Sequence, residues 1–186
     1  MRKILMILSL LLLSSTASAE DYTVDTRHTF PSFEVNHMGL STQRGRFDAT
    51  GGAITLDSAA KTGTVLIEID AASVNTGLKE LEKHLKGEDF FNVEKHPKII
   101  FRSDKMEFDG DRPKALHGEL TLLGVTKPVT LSISSFNCRI HPMNKKFVCG
   151  ADASTTIRRS EFGMGYAIPA VSDEVKLSIQ IEAFRN

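Results

Sequence analysis

Residues 118–133 read GELTLLGVTKPVTLSI, two alternating runs about a turn-like middle, Gly124-Val125-Thr126-Lys127-Pro128. Alternation of apolar with polar residues sends every second side chain to one face of a strand. Folded about Gly124 to Lys127, the stretch sets Leu122 across from Val129, Leu120 from Leu131 and Gly118 from Ile133, one aliphatic face. The other face pairs Thr121 with Thr130 and Glu119 with Ser132. Such a hairpin is half-buried, and Pro128, which has no N–H, suits the first residue of its returning strand. The stretch carries no chemistry of its own.

The same period runs outward in both directions. Phe33, Val35 and His37 share a parity, as do Gly45, Phe47 and Ala49; then come Ile54 and Leu56, Val65, Ile67 and Ile69, Ile99 and Phe101. Beyond the hairpin follow Phe147, Cys149, Ala151 and Ala153, and finally Val175, Leu177, Ile179 and Ile181. This predicts about eight strands joined mainly by short polar turns, hence antiparallel pairing. The parity changes between Phe47 and Ile54, which places a β-bulge at Gly51-Gly52, the kind of bend a closing barrel needs. The patterning favours a closed antiparallel barrel, with a two-sheet sandwich as the alternative.

One segment breaks the period. From Asn75 to Gly87, Leu78, Leu81 and Leu85 recur at helical spacing, which predicts a single amphipathic helix capped by Asn75 or Thr76 and ended by Gly87. Glu80 with His84 and Glu82 with Lys86 stand at i,i+4. Glu88-Asp89-Phe90-Phe91-Asn92 then reads as a turn that drops one or both rings inward.

Residues 1–19 have the form of a signal peptide: Arg2 and Lys3, an apolar run Ile4 to Leu13, and the small residues Ala17-Ser18-Ala19. A run of about ten apolar residues is too short for a membrane anchor. The remaining chain, 20–186, has the length of one domain. Without Arg2 and Lys3, 21 basic residues stand against 23 acidic ones, a balance that argues against nucleic acid as a partner. Export implies an oxidising environment. If the turn between them centres on Met143-Asn144, Cys138 and Cys149 fall opposite each other and a disulfide staples the hairpin; the alternative is a reactive or metal-binding pair, for which no Cys-x-x-Cys spacing speaks.

Residues 120–131, LTLLGVTKPVTL, closely resemble the hallmark of the YceI-like family of exported lipid-binding proteins. The resemblance extends to His28, Phe33 to Gly39, Arg44 to Phe47, Lys83-His84-Leu85, Asp89 to Asn92, Pro97 to Phe101 and Arg159 to Gly163. It implies a mostly β, lipocalin-like, eight-stranded antiparallel β-barrel with one amphipathic α-helix beside it. It also implies that the lumen holds a polyisoprenoid lipid or an isoprenoid quinone such as ubiquinone, on which the protein does no chemistry and needs no catalytic cofactor. The cysteine pair is not part of the family's pattern.

A barrel of eight strands has room for side chains or one small ligand. The expected lumen residues are Phe33, Val35, Phe47, Val65, Ile67, Ile69, Phe101, Leu120, Leu122, Val129, Leu131, Ile133, Leu177 and Ile179, with small ones such as Gly45 and Gly118 leaving space. Leu78, Leu81, Leu85, Phe90 and Phe91 close or border one end, and Gly163 to Val171, with Ile168, forms a rim or lid. An ordinary filled core would show the same pattern. Burying some forty carbons at ~0.8 kcal/mol each gives a gross of ~30 kcal/mol. That exceeds the practical ceiling of about 18–21 kcal/mol, so ordering the chain and incomplete burial must offset the excess.

His28, His37, His84, His96, His117 and His141 make no H-x-H or H-x-x-x-H pair, so no metal site is expected. Arg159 and Glu161 are placed to form an ion pair that fixes the lid, with a head-group contact as the alternative for Arg159. No nucleophile elbow, phosphate loop or H-E-x-x-H stands in the chain. An enzyme acting on a small amphiphile and an interaction protein on a barrel scaffold are the competing readings. An apolar rim would also allow a homodimer, and a Gram-negative host would make the location periplasmic.

Overall fold

The alternating segments form strands in the computed structural model, which describes residues 19–186. In chain order these are β1 (Glu20–Val24), β2 (Phe30–His37), β3 (Ser41–Phe47), β4 (Thr50–Asp57), β5 (Thr62–Asp70) and β6 (Val74–Asn75). After α1 (Lys79–Lys86) come β7 (Lys98–Asp109), β8 (Arg112–Leu122), β9 (Val125–Ile140), β10 (Phe147–Arg158) and β11 (Val171–Arg185). The expected leader, residues 1–19, lies outside the described residues but for Ala19.

Eight strands close an antiparallel ring in the order β1-β4-β5-β7-β8-β9-β10-β11, with β11 pairing back to β1 through Val24↔Ala183. The fold is thus the lipocalin-like barrel, not a sandwich. β2 extends the ring beyond β1 along the first half of β11, β3 pairs β2, and β6 pairs β3 through Phe47↔Val74. Register shifts at Ser103/Lys105 and Glu107/Phe108 against β8, and at Asp152/Ala153 against β9, supply the bends.

Three local expectations are corrected. Gly51 and Gly52 hold unbroken register with Glu68 and Ile67 of β5. The parity switches instead at Asp48 and Ala49, a break between β3 and β4 after which Thr50 turns inward and is buried. Gly52 is glycine because its backbone lies against the Leu66 carbonyl, where a Cβ would collide.

The opening hairpin is four positions tighter than expected: Leu122 faces Val125, Leu120 faces Lys127 and Gly118 faces Val129. Leu123 and Gly124 both take positive φ, 52° and 73°. That is a two-residue type I′ turn, whose twist matches the flanking strands. Thr121 and Thr126 now pair across the outer face at 2.8 Å. A shift by an even number leaves every side chain on its expected face, so Leu120, Leu122, Val129 and Leu131 still point inward.

The helix is shorter than Asn75 to Gly87. Leu78 is its N-cap and offers no side-chain bond; Glu82 instead accepts from the Thr76 N–H (3.1 Å) and from Lys79 Nζ (2.8 Å). The charged contact is therefore i,i+3 rather than the i,i+4 pairs expected. Leu78 is exposed, Leu81 is half-buried and Leu85 is buried.

Candidate functional site: an apolar lumen under a latched segment

Inward side chains fill the barrel unevenly. At one end Tyr22, Leu56, Cys149 and Ala183 pack with Ile54, Met106, Phe108, Phe136 and Phe147 into a separate core cluster. Cys149 faces Cys138 across β10 and β9, and the two are bonded. At the other end, toward α1, a cavity of about 160 Å³ remains. This is room for on the order of ten water-sized groups at ~10–15 Å³ each.

Fifteen of the expected residues line it: Phe33, Val35, Phe47, Ile67, Ile69, Leu85, Phe90, Phe91, Phe101, Leu120, Leu122, Val129, Leu131, Leu177 and Ile179. Five do not. Val65 lies cross-strand from Ile54, which touches both core clusters, so it sits at the boundary between the two ends of the barrel. Ile133, cross-strand from Ala153, and Leu81 of the helix pack into the core without reaching the cavity. Leu78 and Ile168 are exposed and do not line it.

Eight further residues line the cavity, two of which, Met164 and Val171, belong to the stretch expected as a rim or lid. Ile99 and Val175 share the parity of expected neighbours, and Ile157 continues the parity of Ala153, so alternation alone could have found them. Pro31 likewise keeps the parity of Phe33 and Val35 on β2, whereas Ser32 breaks it, and Arg159, Met164 and Val171 belong to the covering segment and its flanks, which a period-two reading does not resolve.

The small inward residues do not leave the space. The Phe33 ring covers Gly45, its cross-strand partner, and the Phe101 ring covers Gly118. Phe33, Phe47 and Phe91 then meet in a three-ring cluster, with centroids 5.3–6.4 Å apart. At the mouth Phe90, His84 and Tyr166 form a second one, at 5.0–5.6 Å.

Residues 163–171 cover the mouth. Met164 is buried and lines the cavity with Val171, while the outer side of the segment carries Tyr166 and Ile168. What holds this segment is Arg159, at the start of a 3-10 turn (Arg159–Phe162) after β10. The residue is 4% exposed. Nε donates to the Ser172 carbonyl (2.9 Å), Nη1 to those of Met164 (3.1 Å) and Tyr166 (2.8 Å), and Nη2 to that of Val171 (2.9 Å). The expected pair with Glu161 does not form: the carbonyls of the covering segment take the guanidinium, and Glu161 is exposed. Burial lowers the pKa of Arg159 from its ordinary value, with the charge of Asp173 opposing. Asp173 itself binds the Ser160 N–H (2.9 Å) and hydroxyl (2.8 Å), and those bonds hold its carboxyl below the usual range.

The histidines are spread over the molecule. His28 Nδ1 bonds Asp25 (2.7 Å), His117 bridges Thr130 (3.0 Å) and Glu107 (2.6 Å), and His141 packs on Phe184. Asp25, His28 and Glu182 bring potential ligand atoms within 4.8 Å of one another. Asp25 there already accepts from the Arg27 N–H (3.0 Å) and contacts His28, in a knot that fixes the β1–β2 corner. No helix among the described residues is long and apolar enough to cross a membrane.

The fold agrees with comparisons to known proteins. A UPF0312 protein of Shewanella sp. strain W3-18-1 is 34% identical over 178 residues, covering 94% of this chain and 93% of that one. The crystal structure of a YceI protein from Campylobacter jejuni matches with a TM-score of 0.70 at 27% identity, over 81% of this chain and 90% of that one. A structure described as a polyisoprenoid binding domain, from Saccharophagus degradans, shares the fold at a TM-score of 0.67 and 15% identity, over 89% and 98%. The sequence pattern of the YceI-like domain fits residues 22–183, and with that span the chain belongs to the YceI-like domain family.

Proposed function

We propose that the barrel binds a polyisoprenoid lipid or isoprenoid quinone, ubiquinone among them, and carries or stores it without chemical change. The observation that carries this reading is the cavity itself: hydrocarbon side chains make up nearly all of its wall, and Met164 and Val171 of the covering segment contribute to it. Such a wall rewards apolar surface and offers no paired nucleophile and base; the Ser32 hydroxyl, its one other polar lining group, donates to the Phe30 carbonyl at 3.3 Å. Support also comes from the family and from the Saccharophagus degradans domain of the same fold. The cavity is smaller than a forty-carbon chain, so the reading requires the lining to spread, with Met164 and the aromatic clusters moving first. The leader form of residues 1–19 supports export, to the periplasm in a Gram-negative host.

Solvent extraction of the purified protein followed by mass spectrometry tests the reading. A stoichiometric isoprenoid is the expected result. A protein that carries none, and takes none up from isoprenoid-loaded vesicles, would sink it.

A further inference from the structure

Arg159 is the one charged residue lining the cavity among the described residues. A guanidinium has five N–H donors in a fixed fork and accepts nothing. Four of the five are matched to carbonyls of residues 164, 166, 171 and 172. The fifth, on Nη2, has no partner among the described residues, nor does any carboxylate lie within ion-pair distance of the side chain. Ser160 takes both oxygens of Asp173, the nearest acid acting on it. A buried cation with a donor to spare is costly in an apolar wall unless something completes it.

From this, and resting on the reading of the lumen as an isoprenoid site, we infer that Arg159 recognises the ligand's head: the spare Nη2 N–H donates to an oxygen at the polar end of an otherwise hydrocarbon ligand. The ligand class is an isoprenoid with one accepting oxygen at its terminus, whether a quinone carbonyl, an alcohol or a phosphate. The head then lies beneath residues 164–172, and the tail runs past Phe101 and Leu120 toward Leu131 and Ile179. Because the same fork holds the covering segment, head recognition and closure share one side chain, and a bound oxygen completes the set of bonds that keeps the segment down.

The experiment compares affinities for two ligands of equal chain length, one a short-chain isoprenoid quinone and the other the isoprenoid hydrocarbon without a head, in the wild type and in Arg159→Lys and Arg159→Gln. A charge-assisted hydrogen bond in a buried site gives a preference of about tenfold or more for the quinone in the wild type. Both variants should bring that ratio close to one, Gln more completely than Lys. Equal weakening of both ligands with the ratio unchanged overturns the inference and leaves Arg159 as a latch only. Equal affinities in the wild type also overturn it while leaving the lipid-binding reading intact, whereas no binding of either ligand ends that reading as well. Should the variants not fold, infrared spectra of a carbonyl-labelled quinone bound to the wild type decide. A carbonyl band shifted down from its position in hydrocarbon solvent supports the contact, and an unshifted band overturns it.

Discussion

Phe33 and Gly45 are cross-strand partners on β2 and β3, and the phenyl ring lies where a side chain at position 45 would stand. The same ring touches Phe47 and Phe91 and lines the cavity. Glycine at 45 therefore sets the position of a lumen aromatic. A Gly45→Ala change pushes the ring into the cavity or off its rotamer, and overpacking of this kind costs about 1–3 kcal/mol. Denaturant midpoints should fall accordingly, and lipid affinity should fall with them. Contacting residues couple, so Gly45→Ala combined with Phe33→Leu should cost less than the two single changes added. Strict additivity would show that ring and glycine act independently.

Leu120 sits on the cavity wall and is buried. In a filled barrel a Trp there has nowhere to go; here it can enter the cavity of about 160 Å³. Leu120→Trp should therefore fold, with a loss of about 1–3 kcal/mol, and should carry no extractable isoprenoid. Calorimetry and mass spectrometry of the same preparation check both halves. Full ligand occupancy in this variant would place the ligand elsewhere.

Much of this was legible in the sequence, for a definable reason. Period two survives any even error in register, so the inward set stayed right although the opening hairpin was read four positions too wide. Leu123 misled that reading, since a leucine at positive φ is not an expected turn residue. Helical spacing found Leu85, yet it could not place the start of α1, because Glu82, from within the helix, satisfies the Thr76 N–H in place of a cap at Asn75 or Thr76. Arg159 was the hardest to read. Its partners are backbone carbonyls, which leave no trace in side-chain identity, and the nearby Glu161 offered a more obvious match. Gly45 and Gly118 looked like space because glycine has no side chain of its own, while the rings that cover them come from other strands.

The bond between Cys138 and Cys149 closes a short hairpin, with a sequence separation of 11. On the chain-entropy account a loop of that size contributes about 3 kcal/mol. It belongs to the core cluster at the far end of the barrel from the cavity, where Cys149 packs with Tyr22 and Leu56. Replacing both cysteines by serine should lower stability by roughly that amount in denaturant unfolding. Ligand affinity should hold within a factor of about two, as expected for distant sites. A large loss of affinity would mean that the two ends of the lumen are coupled.

Tyr22 gives the far end a pH dependence of its own. Burial of the phenol, and then its 2.6 Å hydrogen bond to Glu20, raise its pKa from the ordinary value of about 10 to about 12. The folded protein thus keeps a proton that the unfolded chain releases between those two values. Stability from this group is complete below pH ~10 and declines as pH rises toward ~12, since the unfolded state then binds fewer protons. An alkaline series of unfolding curves should show that decline, and Tyr22→Phe should remove its part of the slope while losing the bond to Glu20 at every pH. The tyrosinate absorbance of the folded wild type should contain a component rising toward pH ~12 that is absent from the variant. If the component lost in Tyr22→Phe instead rises near pH ~10, the phenol is not held as the geometry at Glu20 requires.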